Sequence, residues 1–163
     1  MLPFDPIAEV RRQWVAHGWA PAADGMAAVT SVMRAEQIFL AHVDEVLRPF
    51  SLTFARYEAL TLLMFTRRGS LPLGKIGQRL QVHPTSVTNT IDRLEAQGFV
   101  RRVPHPTDRR TTLAEITETG RSVAVDATDA INARVFCSTG LDTDDLRDLF
   151  RVLRKLRQAT GDF

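Results

Sequence analysis

The sequence contains one cysteine, Cys137, and four histidines scattered along its 163 residues. A single cysteine cannot form an internal disulfide bond, and no histidine stands at metal-ligand spacing from it. The sequence therefore predicts neither a disulfide framework nor a metal site. Nothing beside Cys137 indicates a reactive thiolate, so this residue is predicted to be buried and structural.

Long apolar runs are also missing. The longest nearly apolar segment, residues 57–65, contains Glu58 and is far shorter than the ~20 residues that a membrane-spanning helix needs. Residues 1–5 lack the cationic region that begins a secretory signal. We therefore expect a cytoplasmic protein without a membrane span.

The usual arrangements of catalytic residues are absent as well. The sequence shows no nucleophile beside a general base, no glycine-rich phosphate loop and no pair of acids on one helix face. We therefore expect a protein that is not an enzyme and that needs no cofactor.

The composition is that of a globular domain, and its charge is unevenly distributed. Hydrophobic residues make up 44% of the chain and charged residues 25%, which is enough for a real core. The net charge is only +2, but residues 51–121 contain 11 Lys/Arg and 6 Asp/Glu. This local basic surplus suits contact with phosphate groups.

The first 50 residues carry the pattern of two helices. Residues 6–18 predict a short helix that contains Trp14, and Asp24 is predicted to begin a longer one. Glu36 interrupts the apolar seam of the longer helix. It would fix the register of this helix against a partner helix, line a pocket or, as we favour, point to solvent. The seam follows alternating three- and four-residue steps through Met26, Val29, Met33, Leu40, Val43, Leu47 and Phe50.

A helix-turn-helix pattern follows. Thr53 is placed to cap the next helix, after which residues 72–80 predict a short helix and residues 81–83 a turn. Pro84 occupies the first position of a further helix, and Gly98 supplies its C-terminal stop. Two helices joined by a tight turn are typical of DNA-binding proteins.

Two short strands and a basic turn come next. Residues 99–103 and 111–116 are rich in β-branched and aromatic residues, which favour strands. The connecting residues 104–110 contain two prolines and three side chains able to carry positive charge, including His105. The sequence therefore predicts a hairpin with a stiff, positive tip.

Two helices are predicted to end the chain. Thr117 is placed to cap a helix over residues 118–137, and Asp142 to cap the last one. The last helix is amphipathic, with an apolar face made of Leu146, Leu149, Phe150, Leu153 and Leu156.

Together these patterns predict a mainly α fold with a small β-hairpin wing. A winged helix-turn-helix over residues 51–121 would be flanked by N-terminal helices in residues 1–50 and C-terminal helices in residues 122–163, within one compact structural domain. The flanking helices are expected to mediate dimerisation, because two amphipathic ends without a partner would expose a large apolar surface.

The helix that begins at Pro84 and the hairpin tip hold the candidate DNA contacts. Small hydroxyl and amide side chains pair with base edges in the major groove, and arginine pairs with guanine or phosphate. In the tip, the Asp108 carboxylate would hold the Arg110 guanidinium in a bidentate fork for a narrow minor groove. The alternatives are a solvated helix face and an ordinary charged turn. The predicted contacts are Thr85, Ser86, Thr88, Asn89, Arg93, Asp108, Arg109 and Arg110.

The sequence resembles the MarR (multiple antibiotic resistance regulator) family of transcriptional regulators. The resemblance covers about residues 26–163, is strongest over residues 52–121, and is carried by residues 52–63, 73–80, 86–95, 98–102, 108–110 and 113–120. It implies homodimers on pseudo-palindromic operators, usually repressors released by small aromatic or phenolic ligands or by oxidation. It further implies that Arg110 is the wing arginine and Asp108 its orienting partner, and that the terminal helices form the dimer interface.

The resemblance also implies an effector pocket between the dimerisation helices and the winged domain. Aromatic walls with one cation would suit an aromatic acid or an acyl thioester. Residues available to line it are Trp14, Trp19, Met33, His42, Phe50, Phe54, Arg56 and Tyr57, most of which also stand at helical spacing and fit a plain core or interface. Two alternatives stay open: a winged helix that binds protein rather than DNA, and a DNA-binding regulator without a small-molecule effector.

Overall fold

In the computed structural model, which describes residues 2–108 and 110–163, helices surround one small sheet. The elements are α1 (Pro6–Ala16), α2 (Ala20–Leu47), α3 (Phe54–Met64), β1 (Ser70–Pro72), α4 (Leu73–Leu80), α5 (Pro84–Ala96), β2 (Val100–Pro104), β3 (Thr112–Ile116), α6 (Glu118–Ile131) and α7 (Thr143–Ala159). A short 3₁₀ turn, Arg48–Phe50, follows α2, and a π-helical turn, Asn132–Phe136, follows α6. The predicted mainly α fold with a β-hairpin wing is confirmed.

The sheet has three antiparallel strands in the order β1-β3-β2. The hairpin was predicted, but β1 was not, because Pro72 was assigned to the start of a helix. Pro72 instead ends this edge strand opposite Leu113, and Leu71 pairs with Ala114. Proline is tolerated at a sheet edge, where a missing N–H interrupts no ladder. The pairing ties the start of α4 to the base of the wing.

One continuous apolar core joins the end of α2 to the winged helix. Its fully buried side chains come from several helices and the sheet, and include Leu47, Leu60, Leu63, Ile91, Leu94, Val100 and Ile131. Helices α2, α3, α5 and α6 all contribute to this cluster. Helix α5, which carries predicted DNA contacts, therefore shares one close-packed core with the long N-terminal helix.

The start of α6 is packed directly against the beginning of the wing. The Thr117 side chain accepts a hydrogen bond from the Gly120 amide at 3.0 Å, as expected of an N-cap, and donates one to the Gly98 carbonyl at 2.7 Å. A β-carbon at Gly120 would lie only 2.0 Å from the Phe99 carbonyl oxygen, so no side chain fits there. This approach fixes the direction in which β2 leaves α5.

Several predicted element ends differ from the structure. Helix α2 begins at Ala20, four residues before Asp24, because a proline is tolerated in the first turn; Asp24 instead pairs with Arg11 at 2.6 Å. Thr53 occupies the N-cap of α3, but its side chain caps no amide. The regular part of α6 ends at Ile131, and Cys137 is exposed rather than buried.

Much apolar surface of α2 and α7 lies uncovered in the single chain. On α2, Val29 and Met33 are 61% and 58% exposed, and on α7, Phe150 and Leu156 are 65% and 55% exposed. No residue of α7 is buried. Within residues 2–108 and 110–163, no helix is long and apolar enough to cross a bilayer.

Candidate nucleic-acid interface

Helix α5 presents a polar face away from the core. Its start is set by His83, whose Nδ1 accepts a hydrogen bond from the Thr85 amide at 3.2 Å, and by Pro84 in the first turn. Val87, Ile91 and Leu94 are buried on the inner face. The opposite face carries the predicted contacts Thr85, Ser86, Thr88, Asn89 and Arg93, all of them exposed.

Helix α4 approaches α5 closely at a glycine. A β-carbon on Gly77 would lie 3.2 Å from both the Val82 carbonyl oxygen and the Val87 side chain. The turn between the helices is made by Gln81, which has a left-handed φ of 56°. This close packing holds α5 at the surface, where an α-helix can enter a major groove.

The wing tip is organised by the Asp108 carboxylate. Its Oδ2 accepts a hydrogen bond from the Thr111 hydroxyl at 2.6 Å, and its Oδ1 accepts one from the Arg110 amide at 3.0 Å. These two bonds hold the pKa of Asp108 below its ordinary value, so the carboxylate is ionised at neutral pH. The predicted fork to the Arg110 guanidinium is not formed: Asp108 orients Arg110 through its backbone. Arg109 lies outside the described residues.

His105 is a second organiser of the tip that the sequence analysis counted only as a possible cation. Its Nδ1 accepts hydrogen bonds from the amides of Thr107 and Asp108 at 3.3 and 3.2 Å. Its own amide donates to the Thr111 carbonyl at 3.1 Å. An Nδ1 that accepts from amides carries no proton, so the ring serves here as a scaffold for the turn.

A cleft of about 590 Å³ separates the wing from α4. His105 and Arg110 line it on the wing side, and Lys75 and Gln78 on the α4 side. The Lys75 ammonium group donates to the Gln78 side chain at 3.1 Å. Sequence reasoning missed both α4 residues, because the β1–β3 pairing that brings α4 to the wing is not visible in the helix pattern.

Two arginines of the wing strands are used inside the protein. Arg102 pairs with Glu95 and, at 2.6 Å, with Asp92, and both carboxylates belong to α5. Arg101 pairs with Glu115 across the hairpin. Part of the predicted basic surplus therefore locks the wing to α5 and neutralises the acids of α5, which would otherwise repel DNA.

The predicted effector residues do not converge on one pocket. Trp14 and Trp19 meet edge to face between α1 and α2, with ring centroids 5.2 Å apart. Phe54 and Tyr57 stack on α3, and the Tyr57 hydroxyl hydrogen-bonds Thr128 at 3.2 Å. The remaining predicted residues are dispersed: Met33 is exposed on α2, Phe50 packs against the core, His42 lines a small cavity beside Leu149, and Arg56 lies on the α5 side of α3.

An apolar cavity of about 410 Å³ lies between α2, α3 and the π-helical turn. Its walls are Glu36, Phe39, Leu40, Val43, Phe54, Val135, Phe136 and Thr139. Of the predicted effector residues, Phe54 is part of this wall, and the charged group of the wall is the carboxylate of Glu36 rather than a cation. Glu36 is both exposed, as we favoured, and part of a pocket wall. Among the side chains of residues 2–108 and 110–163, no group of His, Cys, Asp or Glu is placed to hold a metal ion.

Comparison with known proteins assigns the family. The MarR family model matches residues 52–112. The solved structure of Sco5413, a MarR family transcriptional regulator from Streptomyces coelicolor, is 52% identical, superposes with a TM-score of 0.78, and is aligned over 86% of this chain and 97% of its own. Sco3205, a MarR family regulator from the same organism solved in complex with DNA, is 23% identical, has a TM-score of 0.73, and is aligned over 84% of this chain and 88% of its own.

The curated relative YhbI of Bacillus subtilis, described as an uncharacterized HTH-type transcriptional regulator, is 38% identical over 83 residues. The alignment spans about half of each chain, 50% of this one and 51% of YhbI. The family-model match, residues 52–112, lies on the segment that forms the helix-turn-helix and most of the wing. With Sco5413 aligned along nearly its whole length, this chain belongs to the MarR family of winged-helix, DNA-binding transcriptional regulators.

Proposed function

We propose that the protein is a homodimeric, sequence-specific repressor that a small aromatic ligand releases from DNA. The observation that carries the DNA-binding part is the exposed polar face of α5 beside the positively charged cleft of the wing. The α5 face offers hydrogen-bonding groups to base edges, while Lys75 and Arg110 offer charge to the DNA backbone and the minor groove.

The uncovered apolar faces of α2 and α7 support the dimer. Exposed side chains such as Met33 and Phe150 would form a large apolar surface if the chain stayed alone, and soluble monomers rarely expose one. A second copy related by two-fold symmetry covers the same faces on both chains. Such a dimer would place its two α5 helices about 34 Å apart, one DNA turn, on a pseudo-palindromic operator.

The apolar cavity beside α2 supports an effector. It adjoins the part of α2 that packs on α3, and that packing is continuous with the core beneath α5. A ligand that alters the angle between α2 and α3 would change the separation of the two α5 helices and weaken operator binding. Because Glu36 is the charged residue of the wall, the cavity favours a neutral aromatic compound over an aromatic acid.

The test of the DNA-binding function is a fluorescence-anisotropy titration with a duplex selected from a random pool and with a scrambled duplex. We expect the wild type to prefer the selected duplex. The Asn89→Ala variant should lose about 1–3 kcal/mol of that preference per half-site, because a bidentate amide contact to adenine is removed. Equal loss on both duplexes would make Asn89 a backbone contact, and no binding of wild type to either at low salt would contradict the function.

The effector is tested by thermal unfolding with indole and with benzoate at equal millimolar concentrations. We expect indole to raise the Tm of the wild type more than benzoate does. Glu36→Gln should reduce the difference between the Tm shifts caused by indole and by benzoate. A carboxylate ~4 Å from a bound anion costs about 1 kcal/mol in water-like surroundings, and the substitution removes this repulsion of benzoate. Asp44→Asn removes an exposed acid from the same helix and should leave the preference unchanged. A benzoate preference in the wild type would contradict the proposed ligand class.

A further inference from the structure

A polar cleft beside α5 contains two cations that the interface described above does not use together. Arg56 of α3 and Arg93 of α5 line this cleft, and Thr53, Asn89 and Thr90 complete its wall. Its volume is about 390 Å³. All five side chains carry a polar group that can form hydrogen bonds, and two of the five are cations.

Arg56 brings an uncompensated charge to the cleft. It donates from Nε to the Thr53 hydroxyl at 3.3 Å and from Nη1 to the Gln97 side-chain oxygen at 3.2 Å, and both acceptors are neutral. The Gln97 amide in turn donates to the Ser51 carbonyl at 2.8 Å. These bonds hold two edges of the guanidinium in place and leave Nη2 without an acceptor among the described residues.

Arg93 is likewise available. Its sequence neighbours on α5, Asp92 and Glu95, are both taken by Arg102, so they do not neutralise it. Among residues 2–108 and 110–163, neither Arg56 nor Arg93 forms an ion pair with a carboxylate. The cleft therefore carries two positive charges and no negative one, on the same side of α5 as Asn89.

The start of α3 adds to the positive potential of the cleft. Thr53 is the N-cap residue, but its hydroxyl accepts from Arg56 and caps no amide of the first turn. The N-terminal end of a helix carries partial positive charge, which favours an anion nearby.

We propose that this cleft binds a phosphate of the DNA backbone next to the base pairs that α5 reads, with Arg56 and Arg93 as its two cations. The proposal rests on the proposed DNA-binding function and extends it to α3, which sequence analysis had assigned to the effector pocket through Arg56. A phosphodiester has two non-bridging oxygens that share one negative charge, and each can accept hydrogen bonds from a guanidinium group. Gln97 is a positioning residue that acts through Arg56.

The test is the salt dependence of binding to the selected duplex. Losing one phosphate contact reduces the steepness of log K against log salt by ~0.9, so the double variant Arg56→Gln/Arg93→Gln should reduce it by about 1.8 in a symmetrical dimer, and Arg56→Gln alone should produce part of that fall. Arg56→Lys should keep most of the slope, because an ammonium group still neutralises phosphate. Arg134→Gln removes an equal charge remote from the cleft and should leave the slope unchanged.

A second arm locates the phosphate. Single phosphates of the duplex are replaced in turn by neutral methylphosphonates, and we expect one replacement per half-site to weaken wild-type binding about tenfold. The same replacement should weaken binding less in Arg56→Gln than in wild type, because one of the two cations that hold this phosphate is already absent. A folded Arg56→Gln variant with the wild-type slope and the wild-type methylphosphonate pattern would overturn the proposal. A wild type that binds no duplex would instead overturn the proposed function itself.

Discussion

Deletion of residues 141–163 is expected to convert the dimer into a monomer and to weaken operator binding by about 100-fold or more. The deletion removes α7, whose exposed Phe150 and Leu156 belong to the apolar surface that we assign to the interface. A monomer holds one half-site at a time, and loss of linked binding alone costs ~10²–10⁴ in affinity. Sedimentation velocity measures the mass, and anisotropy measures the affinity.

The deletion should leave the rest of the chain folded. No residue of α7 is buried, and the core is made by residues that end at Val135. Among the described residues, the retained chain loses two hydrogen bonds: the Gln81 side chain donates to the Asp162 carbonyl at 2.6 Å, and the Thr139 hydroxyl accepts from the Leu141 amide at 3.3 Å. A circular dichroism spectrum that keeps the remaining helices would show that the loss of affinity comes from the loss of pairing.

A matched pair of substitutions distinguishes the apolar face of α7 from its charged face. Phe150→Asp places a charge on the apolar face and should also give a monomer, since an unpaired charge buried in an interface is costly. Arg151→Ala breaks only an exposed i,i+3 pair with Asp148 and should leave a dimer. An unchanged dimer after both the deletion and Phe150→Asp would assign dimerisation to α1 and α2 alone.

The features that could be predicted from the sequence depend on neighbouring residues. Pro84 at the first turn of α5 and Asp142 at the N-cap of α7 follow rules that act over one helical turn, and both are confirmed. Val87, Ile91 and Leu94 stand at helical spacing along α5, and all three are buried. These local patterns were sufficient to predict the winged helix-turn-helix from the sequence.

The features that were missed depend on residues distant in sequence. Strand β1 exists because its three residues pair with β3, and its own sequence carries too little strand signal. Arg102 was counted only in the basic surplus of residues 51–121, and its carboxylate partners on α5 became visible only in three dimensions. The prediction that the effector residues line one pocket was wrong for the same reason. Helical spacing indicates which face of a helix is apolar, but it does not indicate which helix faces pack against each other.

Asp108 shows an intermediate case. Its role in orienting Arg110 was expected, but its partners are the Arg110 amide and the Thr111 hydroxyl rather than the guanidinium. Asp is favoured in turns because its carboxylate accepts from backbone amides two or three residues on, and this local rule competes with a salt bridge. In the structure the turn bonds prevail, since an exposed ion pair contributes only about 0–1 kcal/mol.

Arg110→Ala is expected to weaken operator binding by about 1–3 kcal/mol per wing, hence about 2–6 kcal/mol for a dimer with two wings. The turn around Asp108 and His105 fixes the backbone of Arg110, so its side chain reaches a groove with little ordering cost. The dimer should stay intact, because Arg110 is not part of the apolar surface of α2 and α7 that we assign to the interface. Anisotropy and sedimentation velocity on the same preparation measure both properties.

If Arg110 enters the minor groove, the effect of Arg110→Ala should depend on the DNA sequence. Loss of a contact to the DNA backbone would not depend on it. A narrow A·T-rich minor groove attracts arginine more strongly than a wide one, so wild type should prefer operators with A·T-rich flanks. Arg110→Ala should abolish that flank preference, whereas Lys75→Ala, on the other wall of the same cleft, should weaken binding equally for both flanks. If Arg110→Ala kept the flank preference while losing affinity, Arg110 would be a backbone contact, and shape recognition would have to come from another part of the wing.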